Sequence, residues 1–292
     1  MAKSYYTGAG KIVDAGAFLG GSAYCFGYGL SENDNIEDKN KRIESYDMFK
    51  LKGKYYLDFI RVNFLTRQQQ PGVAIQYIHD LPEEEYDFEE LYRFQTARYE
   101  DYININKGDF TKMSWDKSNP IEILFIDLAK AKKVNDHCVT EFFECLIPGK
   151  SVLIQQDYYS MLTYLHLIME YFDDHFEFVA DAGGGSRSFI CTKAISASQA
   201  ETAVAEYTDP VKGSKLYETL LGKVEPRWFP HMNTAYIHFL QESDDFDKAG
   251  AELKKLLSDK NIDSKQKANW TNVVNKQLIP RWEKATGKTF SA

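Results

Sequence analysis

Asp14-Ala15-Gly16-Ala17-Phe18-Leu19-Gly20-Gly21-Ser22 decides the fold. Ahead of its glycines stands Lys11 to Ala15, "KIVDA", a short apolar run that reads as a strand. Behind them Ala23, Phe26 and Leu30 recur at helical spacing. The whole stretch therefore reads as strand, glycine turn, helix. Glycines let a backbone approach a ligand without a Cβ clash, and the helix start beyond them offers unpaired N–H groups. Tight packing alone would use the same residues. Gly16 is followed by Gly20 and Gly21, not by G-x-G-x-x-G spacing, which disfavours a nicotinamide or flavin fingerprint.

The pattern repeats outward from this turn. "SENDNIEDKNK" is a polar loop, and "RIESYDMF" (Arg42 to Phe49) reads as a second strand ending in Asp47. Tyr55 to Arg67 has helical spacing, broken at Pro71 and Gly72. An acidic loop then becomes a helix with Glu89 and Glu90 near its start, where the helix dipole favours them. Tyr102 to Asp109 alternates as a third strand. Ile121 to Ala129 is a nearly continuous apolar run, as expected of a strand buried on both faces. A helix over Val134 to Leu146, a fifth strand in "SVLIQQDYY" and a helix over Met161 to Phe172 follow. "FEFVADAGG" and "SRSFICTKAI" read as two last strands, too close together for a helix between them and so antiparallel.

Strands alternating with helices up to about residue 195 predict a doubly wound, mostly parallel α/β sheet of seven strands. Two domains are expected: residues 1–195 as the sheet domain and 196–292 as a helical C-terminal region. In the latter, Ala235, Phe239, Phe246, Ala249 and Leu253 resemble one tetratricopeptide-type helix pair around "SDD". A helical cap or interface element is the expected role. The first strand starts almost at residue 1, which is expected of a piece of a longer multidomain protein; a homodimer is the other arrangement considered.

Composition narrows the class. The chain of 292 residues is 43% hydrophobic and 27% charged, enough for a substantial core. A formal net charge of -8 argues against a duplex nucleic-acid partner, which needs a basic face to release counterions. Cys25, Cys138, Cys145 and Cys191 show no CxxC spacing, so reduced thiols and a cytoplasmic location are expected. No apolar run reaches the length of a membrane span, and no membrane partner is expected.

Several polar residues fall at strand ends, where such a sheet opens its crevice. Asp47 can accept hydrogen bonds from ribose hydroxyls, or cap a turn. Asp109 can receive an adenine amino group with Phe110 against the ring, or "GDF" can be a plain turn. Asp127 ends the fourth strand with Lys130 three residues on, and Gln156 and Asp157 end the fifth. Their oxygens suit a hard cation such as Mg2+.

Together these elements resemble the class I S-adenosylmethionine-dependent methyltransferases: a strand, D/E-x-G-x-x-x-G, an acid ending the next strand, and an acid after the third. The resemblance covers roughly residues 11–195. It implies a methyltransferase-like Rossmann domain with S-adenosyl-L-methionine as cofactor. Asp14, Gly16, Phe18, Gly20 and Ser22 would lie on the methionine and ribose side, Asp47 on the ribose, and Asp109 and Phe110 on the adenine. The fourth- and fifth-strand ends resemble the metal-dependent small-molecule O-methyltransferases of the catechol and macrolide-sugar types. That implies Asp127, Gln156 and Asp157 as Mg2+ ligands and Lys130 as the catalytic base, with Asp127 and Asp157 also catalytic. Here Gln156 precedes Asp157, the reverse of the catechol order, and replaces one acid of the macrolide-sugar pair.

Tyr158, Tyr159 and His166 are rival bases, while His137 and His166 sit on helices where packing is the usual role. Arg187, in a glycine-rich turn, can meet an acidic acceptor. The expected function is O-methylation of a small-molecule or carbohydrate hydroxyl. The alternative is a catalytically reduced binding module acting through its C-terminal helices.

Overall fold

The computed structural model describes residues 1–52, 85–258 and 272–291. The helix expected over Tyr55 to Arg67 and the break at Pro71 and Gly72 lie outside the described residues. The chain divides into two compact units, Met1–Leu128 and Ala129–Ala292.

The first unit opens with β1 (Lys11–Ala15), α1 (Gly21–Ser31) and β2 (Ile43–Asp47). A two-stranded antiparallel sheet of β3 (Lys50–Lys52) and β4 (Glu85–Asp87) follows, with α2 (Glu89–Thr96), β5 (Ile103–Lys107) and β6 (Ile121–Ile126). β1 runs parallel to β2 and to β6, and β2 parallel to β5. Ile12, Val13, Ile123 and Leu124 are fully buried, as strands covered on both faces require. Burying each such side chain favours folding by about 1.5–3 kcal/mol. β6 stops at Ile126 rather than Ala129 because the chain turns back: the Asp127 and Leu128 amides both donate to the Ala15 carbonyl, at 2.7 and 3.0 Å.

Glu122 is the charged residue of the β6 interior, and it is fully buried. Its carboxylate accepts from the Thr7, Ala9 and Gly10 amides at 2.6, 2.8 and 3.3 Å. Charge-assisted bonds to otherwise unpaired amides moor the segment that leads into β1.

The second unit contains α3 (Lys132–Phe142), β7 (Val152–Gln155), α4 (Thr163–Tyr171), β8 (Phe176–Ala182) and β9 (Ser186–Cys191). The helices α5 (Ala197–Glu206), α6 (Pro210–Leu221), α7 (Phe229–Glu242), α8 (Phe246–Ser258) and α9 (Ile279–Thr286) complete it. β9 pairs antiparallel with both β7 and β8, as the short connection requires. α7 and α8 form the helix pair around Ser243-Asp244-Asp245, burying Ala235, Phe239, Ala249 and Leu253. Trp282 of α9 locks onto α8 by donating from its indole nitrogen to the Phe246 carbonyl at 2.7 Å.

Seven strands make up the main sheet, in the order β5-β2-β1-β6-β7-β9-β8. The sheet is mostly parallel and flanked by helices, with further helices after it, as the alternation of apolar runs predicts. Among the described residues no helix is long and apolar enough to cross a membrane.

Candidate functional site

In the first unit Asp47, Asp109 and Asp127 stand at or just after the carboxyl ends of parallel strands, and Ser22 lies in α1. The centre is the turn after β1. Gly16 has φ +105° and Gly20 φ +85°, and Phe18 is also left-handed at +43°. The Gly16 and Ala17 amides both donate to the Tyr46 carbonyl, at 2.9 and 3.1 Å. The chain therefore curls over the end of β2 before entering α1. Gly20 caps α1 without a side-chain bond, so no side chain caps the first-turn amides.

Asp47 fixes this turn. Its Oδ2 accepts from the Phe18 amide and its Oδ1 from the Phe49 amide, each at 2.8 Å. One carboxylate thus clamps the glycine turn to the end of its own strand. Burial raises the Asp47 carboxyl above its ordinary value, opposed by the amides of Phe49, Phe18 and Met48. A carboxylate has about four lone-pair sites, so both oxygens keep capacity for a ligand. The sequence suggested ribose binding or a turn cap; the structure shows the cap.

Asp14 lies beneath the turn, fully buried. Its Oδ2 accepts from the Ser45 hydroxyl at 3.3 Å, and Ser45 in turn accepts from Tyr92 at 2.9 Å. Its Oδ1 has no hydrogen-bond partner among the described residues. Burial pushes the Asp14 carboxyl from 3.8 up to about 7, against the pull of the Ser22 and Ser45 hydroxyls and with a smaller push from Asp127 and Asp47.

The sign of the resulting pH dependence follows. The folded state holds this proton more tightly than the unfolded one, so Asp14 costs stability as pH rises from about 4 to about 7. An Asp14→Asn variant lacks that ionisation. Relative to it, the native protein is expected to lose stability across this window, measured by urea denaturation at pH 4.5, 6 and 8 (about the span that linkage implies). A constant difference over the three pH values would contradict the assignment.

The third strand end completes the rim. The Gly108 amide donates to the Asp47 carbonyl at 2.9 Å, which brings Asp109 alongside β2. Asp109 is an N-cap: its Oδ1 accepts from the Thr111 amide at 3.1 Å and hydroxyl at 2.8 Å. The Thr111 bonds, with Lys112, hold its carboxyl below the ordinary value. Phe110 is buried with its ring edge-on to Tyr46 at 5.5 Å. Asp127 follows β6 at the same rim, its Cβ close under Gly16. Gly16, Asp47 and Asp109 therefore converge at one edge. The fold is a methyltransferase-like Rossmann fold.

Comparison with known proteins adds little detail. No protein-family profile matches the chain, and no curated protein matches its sequence. A solved structure from Clostridium thermocellum, provisionally named an rRNA-methylase, is 13% identical with a TM-score of 0.39; the match covers 66% of this chain and 92% of that one. One expectation is corrected against this finding. Net charge was read as arguing against a nucleic-acid partner, and the resemblance as implying a small-molecule or carbohydrate acceptor. With a structure named for rRNA among those that match, that reading does not stand. A charge summed over 292 residues does not report the local surface on which counterion release depends.

The second unit holds the remaining candidates. Lys130 and Asp157 form an ion pair, both partly exposed. β7 ends at Gln155, and Asp157 adopts a left-handed φ of +57°. The Gln156 side-chain oxygen accepts from the Ser186 hydroxyl. These donor atoms do not fit the implied Mg2+ site: the Gln156 oxygen is neutral and already engaged, and Asp157 faces an ammonium. Among the described residues no cluster of three or more His, Cys, Asp or Glu could hold a metal.

His166 is a core residue. It is fully buried, accepting at Nδ1 from the Tyr217 hydroxyl at 2.8 Å and donating from Nε2 to the Tyr158 carbonyl. Burial lowers it to about 4, so it stays neutral. Tyr158 is buried beside it, its hydroxyl raised by burial.

Sequence reasoning missed a polar knot around Asp181. The Tyr159 hydroxyl, the Trp228 indole and Arg227 donate to its carboxylate at 2.8, 3.0 and 3.1 Å. Trp228 stacks on Tyr159 with centroids 3.8 Å apart. Arg187 donates to the Tyr159 hydroxyl at 2.9 Å. With its Nε 3.8 Å from Asp181 Oδ1, Arg187 has an acidic partner within the protein.

Proposed function

We propose that the chain is an S-adenosylmethionine-dependent methyltransferase, with residues 1–195 as the cofactor domain and 196–292 as a helical C-terminal region. The observation that carries this reading is the Asp14–Ser22 turn, held open by Asp47 at the carboxyl ends of parallel strands.

The residues fit the cofactor. Gly16, Phe18, Gly20 and Ser22 would hold its methionine and ribose side through the turn and the α1 amides. The orphaned Oδ1 of Asp14 leaves one acceptor beneath the turn unmet, as a site built for a donor-bearing ligand would. Asp47 would hold the ribose while keeping the turn in place, and Asp109 and Phe110 would frame the adenine. When bound, the cofactor supplies an activated methyl group. The chain's task is then alignment and proton handling. Transfer to an oxygen nucleophile is the finer reading, with Lys130, Asp127 and Asp157 as catalytic residues. In that reading Lys130 and Asp157 act as a pair that positions the acceptor and carries its proton.

The test is titration calorimetry with S-adenosylhomocysteine. One-site binding is expected, weakened by at least about tenfold in Asp47→Ala. No heat at about 1 mM ligand would end the cofactor reading. Lys130→Met should leave that affinity unchanged and lower methyl transfer; equal loss of both would count against its catalytic role. Retained binding with no transfer to any hydroxyl acceptor would favour the binding-module alternative.

A further inference from the structure

We propose that the groove between α8 and the end of α9 is a docking surface for single-stranded nucleic acid. Charge is unevenly divided along the chain. From Phe246 onward there are ten Lys and Arg against five Asp and Glu, in a chain that holds 35 against 43. This end of the chain is therefore basic although the whole is acidic, and a polyanion repelled elsewhere is drawn here.

The groove measures about 460 Å3, within the range of ligand-sized clefts. Asp247, Gly250 and Lys254 line it at helical spacing from one face of α8, together with Trp282 of α9 and Lys288 and Thr289 beyond its end. Gly250 makes this packing possible: a Cβ there would stand 2.7 Å from the Trp282 indole nitrogen. The indole therefore lies against the α8 backbone. Trp282 remains partly exposed and gives the groove an aromatic surface on which a base can stack.

The state of the lysines decides the partner. Elsewhere in the second unit Lys130, Lys132, Lys193, Lys212, Lys223 and Lys248 each pair with a carboxylate. Lys254, Lys276, Lys284 and Lys288 are all exposed, and among the described residues none of them has such a partner. The acids beside them are engaged: Glu252 pairs with Lys255 at 3.5 Å, and Glu283 accepts from the Phe290 amide at 2.8 Å. On the groove wall Lys254 and Lys288 thus stand against Asp247 alone. The one arginine of this stretch, Arg281, donates to the Gln241 carbonyl at 3.3 Å. A peptide carboxylate is best met by a guanidinium fork, whereas lysine ammoniums serve phosphates as point charges. Lysines beside an indole therefore fit a sugar–phosphate strand with unpaired bases better than an acidic peptide.

The test is fluorescence anisotropy of fluorescein-labelled oligo(dT) of about 12 nucleotides with the full chain. A Kd of about 1–100 μM in about 50 mM salt is expected, with log K falling against log salt at a slope of about −2 to −3, as three or four neutralised phosphates require. Lys254→Glu combined with Lys288→Glu should weaken binding by about tenfold or more and flatten that slope, in protein whose circular dichroism shows it folded. S-adenosylhomocysteine should neither displace the strand nor bind differently to this variant. An abasic strand of the same length keeps the phosphates and loses the stacking, and should bind at least about fivefold more weakly. No anisotropy change at about 200 μM protein, equal affinity for the abasic strand, undiminished binding by the folded double variant, or displacement of the strand by poly-glutamate of equal charge would each overturn the proposal.

Discussion

Replacing Gly16 by alanine is expected to destabilise the first unit by about 2–6 kcal/mol and to abolish cofactor binding, a larger effect than at any other glycine of the turn. Two costs combine. At φ +105° an L side chain is strained, typically by about 1–3 kcal/mol. A Cβ there would also stand 2.6 Å from the Leu128 nitrogen and 2.8 Å from the Asp127 carbonyl carbon. Those atoms belong to backbone, and backbone that cannot give way, because the Asp127 and Leu128 amides are tied to Ala15 at 2.7 and 3.0 Å. Overpacking against fixed atoms adds about 1–3 kcal/mol.

Gly21 supplies the control. It has no positive φ, and nothing lies within 4 Å of where its Cβ would be. Gly21→Ala should therefore change stability by no more than about 1 kcal/mol, and in the favourable direction if helix propensity dominates at the start of α1. Urea denaturation of both variants, with S-adenosylhomocysteine titration of whichever remains folded, separates strain from ligand contact. A Gly16→Ala protein within about 0.5 kcal/mol of the native one would show that the turn is not held as described.

The features legible in the sequence are those fixed by short-range pattern. The "KIVDA" run, the glycines and the Ala23, Phe26, Leu30 spacing read directly as β1, turn and α1, because each signal lies inside its own element. The antiparallel β8–β9 pair was legible from the length of its connection alone. Helix α6 carried a plain start signal that the sequence reading passed over: Asp209 caps it by accepting from the Val211 and Lys212 amides, and Pro210 opens it.

Other features depend on partners distant in sequence. Asp47 was legible as a ribose acid or a turn cap, but its hold on Phe18, 29 residues away, was not. Glu122 interrupts an otherwise apolar strand. Only the amides of Thr7, Ala9 and Gly10 explain it, and they lie more than 110 residues earlier. Lys130 was read as the base and Asp157 as both a metal-binding and a catalytic acid, because nothing in their local sequence reveals that they pair with each other. A single sequence shows which side chains stand at strand ends; it does not show which bonds they have already made.

The Asp181 knot is the strongest such case and gives the second large expected effect. Asp181 is 6% exposed and accepts three hydrogen bonds from three different side chains, with Arg187 close enough for an ion pair at 3.8 Å. In Asp181→Ala the Arg187 cation, itself only 15% exposed, remains in place without a counter-charge. Breaking a buried pair from one side costs about 3–5 kcal/mol, mainly because the other charge is left desolvated and unpaired. The loss should be local to the second unit. The indole of Trp228 would lose both its acceptor and the orientation that stacks it on Tyr159, so its fluorescence should shift to the red together with the loss of stability. Arg227, 57% exposed, bonds the same carboxylate from the solvent side, and Arg227→Ala should cost about 1 kcal/mol or less. The contrast between the two variants is the discriminating result. Equal, small effects from both would mean that solvent reaches Arg187 and that Asp181 is a surface acid rather than the centre of the knot.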